Sequence, residues 1–149
     1  MKPFQFADAM FTGRGAEASP PVVLIVDDEP AVRALLARAL SGDGYELLLA
    51  ESASAALELM IRTGSILSIA VVDLHLGETD GVSLAQLLRR MQPGLTVLFT
   101  TGYGELEQDR VPHDPLLPKP FPPATIAQCV RDLLATGKCR CCERLAGGA

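Results

Sequence analysis

The stretch Ile69-Ala70-Val71-Val72-Asp73-Leu74-His75-Leu76-Gly77 is an apolar run that stops abruptly at a carboxylate. Its period alone leaves a buried helix segment open, but four or five apolar residues bounded by turn signals favour a strand covered on both faces. In an open parallel α/β sheet, ligands bind in the crevice outside the carboxyl ends of the strands, so Asp73 would face a site. The arrangement recurs. Val22-Val23-Leu24-Ile25-Val26 runs into Asp27-Asp28-Glu29, Leu95-Thr96-Val97-Leu98-Phe99 into Thr100-Thr101-Gly102, and Leu116-Leu117 into Pro118-Lys119-Pro120. The strand ends thus offer carboxylates, a hydroxyl and a cation.

Between these runs lie helical patterns. Pro30 suits a first helical turn, where its missing N–H is harmless, and Val32, Leu35, Leu36, Ala39 and Leu40 follow on one helical face before Gly42 and Gly44. Tyr45 to Ala50 reads as a second strand. Ser52 is set to cap a helix using Ala55, Ala56, Leu59 and Met60, closed by Gly64. After a loop through Gly77 and Asp80-Gly81, a third helix should bury Leu84, Leu87, Leu88 and Met91 before Pro93 stops it. Gly102 to Asp109 has room only for a short fourth helix. Pro122-Pro123 opens a last one, with Ile126, Cys129, Val130, Leu133 and Leu134 on one face, ending near Gly137. Alternating strands and helices imply right-handed βαβ crossovers and a parallel sheet covered on both faces.

At 149 residues the chain can build one well-buried domain. The expected divisions are a flexible leader over 1–20, with Phe4, Phe6 and Phe11 as its only anchors, a domain over 21–136 and a flexible cysteine-containing tail over 137–149. Apolar residues make up 48%, yet no apolar stretch approaches the roughly 18 residues of a membrane span, and Met1 to Ser19 lacks a secretory apolar core. A cytoplasmic protein with no membrane partner is expected. A net charge of −5 without a basic stripe argues against DNA binding. Cys129, Cys139, Cys141 and Cys142 read as four reduced thiols, since a cytosolic setting makes structural disulfides improbable. A metal knot is the alternative, disfavoured because the Cys-x-Cys-Cys run lacks the paired spacing and distant second pair of a zinc site.

Taken together, the motifs Val26-Asp27-Asp28-Glu29, Val72-Asp73-Leu74-His75-Leu76-Gly77-Glu78-Thr79-Asp80-Gly81, Thr101-Gly102 and Lys119-Pro120 resemble the receiver domain of two-component response regulators over about Pro21 to Ala135. The wording Phe99-Thr100-Thr101-Gly102-Tyr103 is most similar to receivers attached to, or working with, hybrid sensor kinases. The resemblance implies a flavodoxin-like (βα)5 fold with a doubly wound parallel five-stranded sheet. It also implies Asp73 as phosphoacceptor, assisted by Thr101 and Lys119, and Mg²⁺ as cofactor. Asp28 and Asp73 would be its direct side-chain ligands, Asp27 would act through a metal-bound water, and the backbone carbonyl of His75 would complete the protein's share.

The chemistry suits the residue types. A carboxylate can attack phosphorus to form an acyl phosphate, and the incoming anion calls for a hard cation and hydrogen-bond donors. Positioning and electrostatics are most of what phosphoryl transfer asks of a protein. Each residue also has a plainer reading: a solvated acidic loop for Asp27-Asp28-Glu29, a turn cap for Asp73, a surface lysine for Lys119 and an exposed loop residue for His75. Thr101 rather than Thr100 is expected at the site, since adjacent strand residues face opposite ways and the residue before Gly matches the family.

Two departures from the family pattern stand out. Gly77 replaces a usual proline after the acceptor, which should loosen that loop, and Leu116 stands where an aromatic switch residue is usual. Tyr103 offers an alternative moving or shielding group, and His75 one that tunes water access. With no output domain after Ala135, a stand-alone receiver is expected. It would accept phosphoryl from a sensor histidine kinase or phosphotransfer protein, catalyse only its own phosphorylation and dephosphorylation, and signal to a downstream protein partner. The alternatives are a phosphate sink for a hybrid kinase, a diverged receiver acting as a phosphorylation-independent interaction module and, last, a phosphatase-like hydrolase, whose usual second acid is here His75. The last helix could support a homodimer, although packing on its own sheet explains its apolar face equally well.

Overall fold

The computed structural model describes residues 19–140 and 142. Most of the expected leader, Cys141 and residues 143–149 lie outside these. In chain order the elements are β1 (Val22–Val26), α1 (Pro30–Leu40), β2 (Glu46–Ala50), α2 (Ala53–Thr63), β3 (Ile69–Asp73), α3 (Gly81–Met91), β4 (Val97–Thr101), β5 (Leu116–Pro118) and α4 (Pro123–Thr136). The short fourth helix is a 3₁₀ segment, Gly104–Arg110, between β4 and β5.

The five strands form one parallel sheet in the order β2-β1-β3-β4-β5. This is the flavodoxin-like α/β fold. Both faces are covered, which is why β1 and β3 are unbroken apolar runs rather than alternating ones. On one face Leu24, Val26, Val72 and Phe99 pack with Ala56 and Met60 of α2 and Leu84 and Leu88 of α3. On the other, Val23, Ile25, Val71 and Leu98 pack with Leu36 and Leu40 of α1 and Ile126, Val130 and Leu133 of α4. Each fully buried leucine or isoleucine in these layers contributes about 1.5–3 kcal/mol of burial.

Local signals place the helix ends. The Ser52 hydroxyl accepts the Ala55 N–H at 3.1 Å, and Gly64, at φ 64°, closes α2 in the left-handed region that glycine tolerates. The Asp80 carboxylate caps α3 through the Val82 N–H at 3.3 Å.

Three expectations are corrected. Leu87 and Met91 are 39% and 49% exposed, because α3 turns Leu84, Ala85 and Leu88 to the sheet instead. The fourth strand runs two residues further than its apolar run, since Thr100 pairs with Asp73 and Thr101 with Pro118 in the ladder. Gly77 does not merely loosen its loop. At φ 71° it sits in the turn joining the paired segments His75–Leu76 and Thr79–Asp80, the glycine-first pattern of a II′ hairpin. Within the span 137–149, Cys139 and Cys142 are buried against α4, in the same apolar layer as Cys129.

Candidate functional site

The topology puts the site at the switch point. The chain leaves β1 toward β2 on one side and later takes up β3 on the other, so the carboxyl ends of β1 and β3 flank the open crevice of such a sheet. Asp27 follows β1 directly and Asp73 is the last residue of β3.

Both carboxylates are buried, with Asp28 exposed beside them, and one oxygen from each of the three lies within 4.8 Å of the others. Lys119, just past β5, reaches across the strand ends. Its Nζ donates to Asp27 Oδ2 and Asp73 Oδ2, each at 2.9 Å. The other oxygens are held by the backbone: Asp27 Oδ1 accepts the Glu29 N–H at 2.9 Å and Asp73 Oδ1 the His75 N–H at 3.0 Å. The Arg33 guanidinium donates to the Asp27 carbonyl at 2.7 Å and anchors α1 to the same loop.

One ammonium among three carboxylates leaves the cluster net negative. Burial pushes the Asp27 carboxyl above its ordinary value, with the charge of Asp73 adding to this against the pull of the Glu29 amide and Lys119. Burial alone would lower Lys119, but the hydrogen bonds and charges of Asp73 and Asp27 outweigh it and hold the ammonium above its ordinary value. Lys119 is therefore a firmly protonated strut between two acids. A cluster of hard oxygens that one lysine does not neutralise fits a hard divalent cation.

Backbone packing fixes Asp73 from behind. The Gly81 N–H donates to the Leu74 carbonyl at 2.8 Å, and a Cβ on Gly81 would stand 2.2 Å from the Asp73 carbonyl oxygen. Only glycine allows this approach. The sequence reading took Asp80-Gly81 as turn chemistry and did not reveal it.

Thr101 lies on the neighbouring strand. Its carbonyl accepts the Lys119 N–H at 2.7 Å, so the hydroxyl strand and the lysine loop are joined through the backbone. The Thr101 hydroxyl accepts the Tyr103 N–H and donates to Glu107 Oε1, both at 3.0 Å. Thr100, its neighbour, is buried with its hydroxyl unpartnered. Gly102 has open space where a side chain would stand.

Sequence reasoning missed Glu107 altogether. It lies in the 3₁₀ segment, where no periodicity marks it, yet it gathers several site-edge residues. His75 Nε2 is 2.5 Å from Glu107 Oε1, Arg110 Nη1 is 3.3 Å from Oε2, and the second Arg110 nitrogen pairs with Asp80. Burial raises the Glu107 carboxyl, but the bonds from His75, Thr101 and Arg110 outweigh that and hold it below its ordinary value. The His75 ring also meets Tyr103 edge-on, centroids 4.8 Å apart. Tyr103 is 61% exposed, while Leu116, at the usual aromatic position, is buried in the core.

A response regulator receiver domain model matches residues 23–131. The chain is 39% identical over 116 residues to the sensor kinase CckA of Brucella abortus (strain 2308), covering 75% of this chain but 12% of that kinase. Among solved structures, the CheY-like receiver domain protein of Methanospirillum hungatei JF-1 is similar at TM-score 0.69 and 26% identity, covering 78% of this chain and 95% of that one. The receiver domain of the hybrid histidine kinase CckA follows at TM-score 0.65 and 30% identity, covering 76% of this chain and 98% of that one. No helix among the described residues is long and apolar enough to cross a membrane. With its switch-point carboxylates, its lysine and its matched span, the chain belongs to the response regulator receiver domain family of two-component signalling.

Proposed function

We propose that Asp73 accepts a phosphoryl group from a histidine kinase or phosphotransfer protein and that the phosphorylated domain signals in the cytoplasm through contact with a downstream protein. The observation that carries the reading is the Lys119 ammonium held 2.9 Å from both Asp27 and Asp73 at the ends of separate strands. Such an arrangement costs folding energy through the desolvation of its charges, and phosphoryl transfer gives it a use.

Asp28 and Asp73 would hold Mg²⁺ directly, Asp27 through a bound water and His75 through its backbone carbonyl; the donor set fits because it is oxygen-only and incompletely neutralised. When bound, the ion neutralises charge on the phosphoryl oxygens. An Asp73 carboxylate oxygen attacks phosphorus. As the new O–P bond forms, the donor's P–N bond breaks and its electron pair returns to the donor imidazole. Lys119 shifts from the two carboxylates toward the incoming phosphoryl oxygens, and the Thr101 hydroxyl donates to another. The domain acts only on its own phosphoryl group.

The resemblance to CckA, named as a hybrid histidine kinase in one solved structure, favours a second reading in which Asp73 draws phosphoryl away from a hybrid kinase. Both readings need the same acceptor. Intact-protein mass after incubation with Mg²⁺ and acetyl phosphate tests it: one phosphoryl adduct is expected on the wild type and none on Asp73→Ala. An adduct of equal yield on Asp73→Ala, or none on the wild type, would overturn the acceptor assignment.

A further inference from the structure

A second cluster of metal-ligating groups lies away from the phosphoacceptor. Cys129 is on the inward face of α4. After the helix, Gly137 adopts φ 78° and gives its N–H to the Leu133 carbonyl at 2.9 Å, so the chain turns back. That reversal brings Cys139 and Cys142 onto Cys129. All three are buried, at 2%, 3% and 0% exposure, and their sulfurs lie within 4.8 Å of one another. The Cys129 and Cys142 sulfurs are 3.9 Å apart.

This spacing is informative. A disulfide requires sulfurs about 2.05 Å apart, half the separation found here. Three thiolates around one Zn²⁺, each with a bond of about 2.3 Å, have sulfurs roughly 3.8–4.0 Å from one another. The Cys-x-Cys-Cys spacing by itself disfavours the metal knot that the sequence leaves as an alternative. The third partner comes from a helix ten residues earlier than Cys139, and only the turn at Gly137 joins them.

We infer that Cys129, Cys139 and Cys142 form a three-thiolate site for a soft, thiophilic cation, with Zn²⁺ as its ion. Thiolate sulfur selects zinc and copper(I) over the hard cations that suit the carboxylates at the other end of the sheet. Burial pushes the Cys139 thiol up to about 12, with neighbouring Cys129 adding to the rise. Binding replaces three S–H bonds with three metal–sulfur bonds and releases three protons, with no change of oxidation state.

The site also has an entry path. A cleft of about 360 Å³ is lined by Cys139, Cys142 and Lys138 on one side and by His113, Asp114 and Leu116 on the other. His113 lines the same cleft as Cys139 and Cys142. Leu116 begins β5, so the cleft lies at the opposite end of the strand from Lys119. A bound ion would fasten residues 139 and 142 to α4 without touching the phosphoacceptor.

The test uses the full chain, reduced and stripped of metal, then given one equivalent of Zn²⁺ and desalted. One zinc per chain is expected by elemental mass spectrometry, at least tenfold more than is retained by the Cys139→Ser/Cys142→Ser double variant. An Asp28→Ala variant should keep the full amount, which separates this site from the acidic cluster. A wild-type measurement guards against misfolding of the variants: Co²⁺ in place of Zn²⁺ should give sulfur-to-metal charge-transfer absorption, and metal should protect three thiols from alkylation. Zinc retention equal in wild type and double variant, or cobalt spectra without a sulfur band, would overturn the site. So would a Cys129–Cys142 disulfide that forms in wild type while no metal is retained.

Discussion

The Thr101 hydroxyl donates to Glu107 Oε1 at 3.0 Å, so the group expected to meet a phosphoryl oxygen is already engaged by a carboxylate of this chain. Under the proposed function, Glu107 occupies the hydroxyl that a phosphoryl oxygen would need. It is tied in turn to His75 and Arg110, which couples the loop after Asp73 to the 3₁₀ segment. A phosphoryl group on Asp73 would compete for the same hydroxyl, and release of Glu107 would loosen that tie.

Glu107→Ala should therefore speed phosphorylation by acetyl phosphate. Losing one charge-assisted hydrogen bond that competes with the reaction is equivalent to about 1.5 kcal/mol, or roughly tenfold in rate. Single-turnover mass measurements at fixed Mg²⁺ check this, and an unchanged or slower rate would show that Glu107 does not compete.

The same carboxylate has a pH signature. Its folded pKa lies below its ordinary value of 4.5, so its bonds contribute stability that is fully present above pH 4.5 and is lost as pH falls through the lower folded value. Glu107→Gln should have a flatter loss of stability than wild type below pH 4.5, measured by urea unfolding at stepped pH. Parallel curves would count against the network.

Gly81→Ala should be costly even though alanine is the better helix former. Its Cβ would meet the Asp73 carbonyl oxygen at 2.2 Å and the Leu74 Cα at 2.9 Å, both on the backbone that carries Asp73. Such overpacking is expected to cost about 3 kcal/mol, read as a lower urea midpoint at unchanged slope. A loss below about 0.5 kcal/mol, the scale of an ordinary surface substitution, would show that the α3 start can slide.

Lys119→Met separates metal binding from chemistry. It removes a cation that competes for Asp27 and Asp73, so Mg²⁺ should bind about tenfold more tightly, a fraction of the ~4 kcal/mol that two unit charges exchange at 4 Å and moderate dielectric. Phosphorylation should slow at least a hundredfold, since a donor to the phosphoryl oxygens is gone. Calorimetric Mg²⁺ titration and acetyl phosphate kinetics on the same sample decide it.

Much of this molecule was legible because its signals are local. Apolar runs that end in acids mark strands covered on both faces, and Ser52, Gly64, Pro30 and Gly137 mark helix ends by chemistry that depends on few neighbours. What stayed hidden depends on distant contacts. Leu87 and Met91 share the helical period of Leu84 and Leu88, but α3 meets the sheet over a narrower face than the pattern suggests. Glu107 sits in a 3₁₀ segment without amphipathic spacing, and Gly81 matters through a carbonyl eight residues away. The cysteine cluster needs a chain reversal that no short motif encodes.

Borohydride trapping tests the central claim most directly. After incubation with Mg²⁺ and acetyl phosphate, an acyl phosphate on an aspartate is reduced to homoserine, and peptide mass spectrometry locates it. The account predicts homoserine at position 73 and nowhere else. Homoserine at position 27 or 28, or a phosphoryl adduct that resists borohydride, would contradict it.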